Sequence, residues 1–228
     1  MKHVFFPLGM AAALLLGACA GKTPSPAWER EAQSASERAQ KAFLQGRSNV
    51  AEVEWRKAFD EVAATGQPGI MARMALLQCA VQTAALQWGD CPRYQRYAAG
   101  AAPAEQAYAR YLMGRHGSAD VALLPVAQQA VAAQLLEGRP TLEVLPQAPP
   151  LSQLTAAGVA LRHGAITRAA VQQAAQIASE QGWRRAVMAW LLVEQRLASA
   201  QGDAAGAQAA QLRLQVLQEN QRTETLKK

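Results

Sequence analysis

The sequence predicts an all-α fold of antiparallel helical hairpins or a degenerate α-solenoid. Alanine, leucine and glutamine make up 101 of its 228 residues, whereas valine, isoleucine and threonine supply only 25. That is a bias toward good helix formers and away from the β-branched residues that favour sheets. The second observation is patterning. Helical patterns run over Trp28–Gln45, Asn49–Ala64, Gly69–Leu86, Pro103–Arg115, Pro125–Glu137, Leu151–His163, Ala165–Gln181, Trp183–Ala200 and Asp203–Gln221. With 50% hydrophobic and 18% charged residues the chain belongs among globular proteins, not disordered ones.

Residues 1–18 stand outside this fold. Lys2 and His3 precede an apolar run from Val4 to Ala18, the charge-then-hydrophobic layout of a secretory signal and too short to span a bilayer comfortably. The run ends in Leu16-Gly17-Ala18-Cys19. This resembles the lipobox of bacterial lipoproteins: a branched apolar residue, two small residues and a cysteine. The resemblance implies cleavage between Ala18 and Cys19, lipid attachment at the Cys19 thiol, and membrane anchoring through the acyl chains. Ala20 follows the cysteine, where that family uses aspartate for inner-membrane retention, so the resemblance implies the outer membrane, facing the periplasm. Buried lipid methylenes contribute roughly 0.8 kcal/mol each, so two or three chains anchor far more firmly than one. Residues 19–27 read as a small, proline-containing tether.

The second helix shows the clearest stripe. Ala51, Trp55, Ala58, Phe59 and Val62 share one face, and Glu52, Arg56 and Asp60 alternate in sign on the other. The third pattern carries Cys79, with Cys91 beyond it. If the Cys19 thiol is acylated, these two remain to pair in an oxidising compartment. A continuous helix would hold them roughly 18 Å apart, whereas a disulfide needs Cα atoms about 5.5 to 6 Å apart, so the helix must end before Cys91. Trp88, Gly89, Asp90 and Pro92 supply the breaker chemistry. The competing reading, a reactive thiol or metal pair, lacks a nearby histidine and a CxxC spacing.

At Gly46, Gly164 and Gly202 an alanine follows five residues later, at Ala51, Ala169 and Ala207. This spacing resembles the tetratricopeptide repeat, in which paired helices meet through a turn glycine and a small residue permits close approach. Gly46, Ala51, Trp55 and Ala58 match the turn glycine, small residue, aromatic and second small residue of the repeat's second helix. The match weakens elsewhere: Pro68 arrives late for the helix-ending proline, and Gln173 and Gln211 occupy the aromatic position. Gly117 with Ala122 has the spacing too, but Pro125 would fall inside that helix. Residues 139–150, with four prolines, read as a linker between an N-terminal helical region, 28–138, and a C-terminal one, 151–228.

Function is less sharply written. The net charge of +6 is a mild excess with its nearest approach to a cluster at Arg93, Arg96, Arg110 and Arg115. No nucleic-acid-binding signature accompanies it, which leaves a solvated basic surface or attraction to anionic lipid or glycan. His116 and His163 both sit in Arg-His-Gly and read as helix ends, where a cation complements the macrodipole. Glu194 interrupts an apolar stripe and is a candidate general acid or, more commonly, half of an interhelical ion pair. Trp28, Trp55, Trp88, Trp183 and Trp190 are candidates to line a ligand groove or fill the core. The mature chain contains no GxSxG, HExxH, SxxK, GxxxxGK[ST] or GxGxxG motif. The Glu-Ser pair of lytic transglycosylases is not matched either, since Ser36-Glu37 and Ser179-Glu180 run in the reverse order. The expectation is a non-enzymatic, lipid-anchored envelope scaffold that binds a protein or peptide partner and needs no cofactor. Its alternatives are a small-ligand or glycan-binding lipoprotein and a cryptic enzyme.

Overall fold

A computed structural model describes residues 25–137, 142 and 145–226. The fold is all-α: α1 (Ala27–Leu44), α2 (Ser48–Ala63), α3 (Pro68–Ala84), α4 (Pro92–Gln95), α5 (Pro103–Leu112), α6 (Ser118–Val121), α7 (Val126–Leu136), α8 (Pro150–Arg162), α9 (Arg168–Glu180), α10 (Arg184–Ala200) and α11 (Ala204–Leu226). A 3-10 turn, Ala98–Gly100, joins α4 to α5. Every predicted helical segment contains a helix, and the two one-turn helices α4 and α6 lie between predicted ones.

Proline and glycine set most boundaries. Pro68, Pro92, Pro103 and Pro150 open helices, where the missing N–H leaves no bond unmade. At the end of α1 the Gly46 N–H donates to Phe43 O and the Arg47 N–H to Ala42 O, with Gly46 at φ 85°. This left-handed cap satisfies the last carbonyls and turns the chain into α2. Helix α11 runs on to Leu226, past the predicted Gln221, and three other departures from expectation have a visible local cause. Helix α3 stops at Ala84 because Leu86 takes the left-handed conformation at φ 58° and the Gln87 N–H donates to Gln82 O. Helix α5 stops at Leu112 because Gly114, not Gly117, supplies the left-handed cap. Helix α9 begins at Arg168 because Leu142 pairs with the preceding segment through Ala165 O and the Thr167 N–H, and the Thr167 side chain caps the helix.

Adjacent helices pair as α1 with α2, α9 with α10 and α10 with α11, while α3 packs across the chain onto α8. The α1–α2 pair buries Ala35, Ala39 and Ala42 on one helix and Ala51 and Ala58 on the other. Small side chains let helix backbones approach closely, so dispersion contacts between backbones replace those of large side chains. Of the alanines placed five residues after a turn glycine, Ala51 is buried whereas Ala169 is exposed and Ala170 takes the inward position.

One core joins both sides of the proline-rich stretch. Fully buried Trp190 of α10 donates its indole N–H to Ala84 O at 3.0 Å, giving a partner to a carbonyl at the end of α3. Gly158 of α8 meets α3 at Thr83, whose carbonyl oxygen would lie 2.5 Å from any Cβ placed there. Within the stretch, Leu142 and Leu145 are buried, and the Leu145 N–H donates to Gln173 Oε1 at 3.0 Å.

Candidate functional site

A cleft of about 660 Å³ lies between α1, α3 and α5. Its floor is made by Ala32, Val62, Leu76 and Ala80, which are buried. Ile70, Met74 and Leu77 project from α3 at the helical spacing that keeps them on one side, and Trp28, Leu123 and Pro125 border the opening. Polar side chains line the cleft from α1 (Glu29, Gln33, Ser36), α3 (Arg73) and α5 (Glu105, Tyr108). Glu105 Oε1 accepts from Arg73 Nη2 at 2.7 Å, while its buried Oε2 has no hydrogen-bond partner among the described residues. Tyr108 lines the same wall, and burial pushes its phenol well above the ordinary value. The cleft is thus an apolar trough with a fixed carboxylate acceptor and a phenol that stays protonated at neutral pH.

The residues singled out from sequence are dispersed. Cys19 lies outside the described residues. A disulfide joins Cys79 and Cys91 with Cα atoms 5.6 Å apart, tying the second half of α3 to the start of α4. Of the tryptophans, Trp55 and Trp190 are core residues, Trp183 is half-buried at the start of α10, Trp88 is exposed, and Trp28 alone of them lines the cleft. Glu194, expected to make an interhelical ion pair or to sit at the edge of its stripe, makes an interhelical hydrogen bond: it accepts from Gln172 Nε2 at 3.0 Å, and its other oxygen is buried without a partner among the described residues. The basic cluster is divided by pairing. Arg110 is bound to Asp120 and Arg115 to Asp90, while Arg93 lies over the Phe59 ring.

His163 caps α8 before the left-handed Gly164, as expected of a helix end. His116 corrects the parallel reading. It is buried beyond the end of α5, with Nε2 3.0 Å from Ala132 O and Nδ1 lacking a partner. The two rings meet edge to face at 5.7 Å. Burial, then the neighbouring His116 and Arg162, hold His163 below the usual histidine range. A buried relay runs alongside: Tyr111 donates to Gln128 Oε1 at 2.8 Å, and Gln128 Nε2 donates to Ser152 O at 3.0 Å. Neither the histidine contact nor Gln128 carried a sequence signal, because residues on α5, α7 and α8 converge only in the folded chain.

Among the described residues no three histidine, cysteine or acidic side chains converge as a metal cluster, and no helix is long and apolar enough to cross a membrane. Comparison of the chain with protein families, with curated proteins and with solved structures finds no match.

Proposed function

We propose that this chain is a lipid-anchored scaffold of the bacterial cell envelope, held at the outer membrane through Cys19, that binds a protein or peptide partner within an assembly or secretion apparatus. The observation that carries the reading is the open apolar cleft between α1, α3 and α5, which leaves Leu123 43% and adjoining Val126 85% exposed at its edge. Exposed apolar surface of this kind is characteristic of docking sites for apolar side chains. The Cys79–Cys91 disulfide supports an oxidising compartment. The lipobox supplies the anchor, and the tetratricopeptide-like Gly46, Ala51, Trp55 and Ala58 agree with a hairpin scaffold. We read the chain as non-enzymatic.

A second reading, a small-ligand site, is favoured by the cleft's volume and by Glu105, Arg73 and Tyr108 at one wall. One experiment separates the two. A photo-crosslinking residue at Leu77 should yield a discrete protein adduct in the native envelope, whereas the same residue at Gln176 on α9 should not. Adducts at neither position, with a small molecule co-purifying instead, would move the assignment to ligand binding. Cys19→Ser tests the anchor: undiminished membrane retention with normal processing contradicts it.

A further inference from the structure

A second groove, of about 440 Å³, is lined by residues of α1, α2, α3, α4 and α10 and shares no lining residue with the cleft described above. Its wall on α2 carries Trp55 and Phe59, and Arg93 of α4 and Arg185 of α10 also line it. The Arg93 guanidinium carbon sits 4.0 Å from the Phe59 ring centroid, and that of Arg185 sits 4.2 Å from the Phe43 centroid. Stacking on a ring uses the face of a guanidinium and leaves its N–H edge free. Arg185 spends one donor on Ser48 Oγ at 2.6 Å.

Several arginines of the chain are paired with a carboxylate, and these two are among those that are not. Arg38, Arg56, Arg73, Arg110, Arg115 and Arg168 each meet an aspartate or glutamate within 4 Å. Arg93 and Arg185 meet none among the described residues. Burial lowers the Arg185 pKa, as expected of a partly desolvated cation without a counterion. We propose that this groove binds an acidic segment of a polypeptide in extended form, with one carboxylate on the Arg93 fork and another on the Arg185 fork.

Spacing and the facing wall favour that ligand. The two guanidinium groups contact the neighbourhoods of Phe59 and Ser48, eleven positions apart on α2 and therefore roughly 16 Å apart along its axis. An extended chain covers that distance in about five residues. Across the groove, Gln78 and Gln82 stand one turn apart on α3, and neither side-chain amide has a hydrogen bond among the described residues. Each presents a donor and an acceptor, the complement of a peptide unit. Of the groove's own acids, Glu52 is 3.6 Å from Arg56, while Asp60 has no cation partner among the described residues and opposes an anionic ligand. A flat anionic membrane is the poorer occupant, because these cations line a recess between helices and do not crown a convex face.

The test uses the full chain in detergent and a fluorescein-labelled octapeptide of glycine with two glutamates five positions apart, read by anisotropy at low salt. Binding should weaken about tenfold in Arg93→Gln and again in Arg185→Gln, the scale of a lost charge-assisted hydrogen bond. Asp60→Asn should tighten it, and Leu77→Glu in the other cleft should leave it unchanged. Arg185→Lys, which keeps charge but not the fork, should recover only part of the affinity, guarding against a variant that merely unfolds. Equal binding of the glutamine version of the peptide overturns the proposal. So does arginine-dependent binding of phosphatidylglycerol vesicles with none of the peptide, which assigns the groove to lipid headgroups.

Discussion

Asp120 shows how a single residue can organise a turn that has little apolar content of its own. Its Oδ2 accepts from Arg110 Nε and from the Gly117 N–H, both at 2.9 Å, so one side chain binds α5 to the start of α6. The Arg110 hydrogen bond, then the Gly117 N–H and the nearby positive charge, outweigh burial and hold the carboxyl at about 2, against an ordinary 3.8. The sign follows directly. The unfolded chain takes up a proton near pH 3.8 and the folded one resists until about 2, so stability is present above pH 3.8 and is lost as pH falls through that window. Denaturant titrations of Asp120→Asn should therefore show a lower midpoint than the parent at pH 6, with the difference shrinking below pH 4. A constant difference at every pH would remove the carboxylate from the explanation. The sequence disclosed none of this: Arg110 was legible as one member of a basic cluster, but a cluster in sequence says nothing about which acids the fold places against it.

At the level of elements, α3 is the pivot. One side supplies Ile70, Met74 and Leu77 to the apolar cleft, another supplies Gln78 and Gln82 to the arginine-lined groove, and its end receives both the Trp190 hydrogen bond and the crossing α8. Gly158 makes that crossing possible. Replacing it with alanine puts a methyl group 2.5 Å from Thr83 O and 3.1 Å from Thr83 Cγ2, so the helices must separate. Overpacking of this kind costs about 1 to 3 kcal/mol, and alanine's better helix propensity returns at most about 1. A thermal melt of Gly158→Ala should show a lowered Tm, and an unchanged or raised Tm would mean the α3–α8 contact is looser than described. The existence of α3 and α8 was readable from periodicity and proline punctuation. Their meeting was not, since an apolar face records that a helix must be covered, not by what.

For the molecule as a whole, the same distinction separates what was legible from what was not. Composition and the regular placement of proline and glycine are local signals, and they were enough to give the all-α class and each long helix. The clefts draw on helices far apart in the chain: chiefly α1, α3 and α5 for one; α1, α2, α3, α4 and α10 for the other. The four prolines at 139–150 mark a linker but left open whether the two helical regions pack together; the hydrogen bonds of Trp190 to Ala84 and of Thr155 to Ala80 join helices on its two sides. Fragments 25–137 and 145–228, prepared separately, should each lack a cooperative melting transition, and mixing them should restore one. Two fragments that each melt at the temperature of the intact chain would show that the shared core contributes little.

The alanine-lined helix contacts carry a further consequence for how this protein responds to mutation. In a core of leucine and phenylalanine the characteristic injury is loss of volume, and neighbours relax into the vacated space. Here Ala39, Ala42, Ala58, Ala72, Ala84, Ala107 and Ala174 are fully buried and already near the smallest side chain available. Almost any substitution at these positions is an enlargement, and packed neighbours must move to admit it. Tolerance should therefore follow a ceiling on side-chain size, with glycine and serine the mildest replacements and hydrophobicity a poor guide.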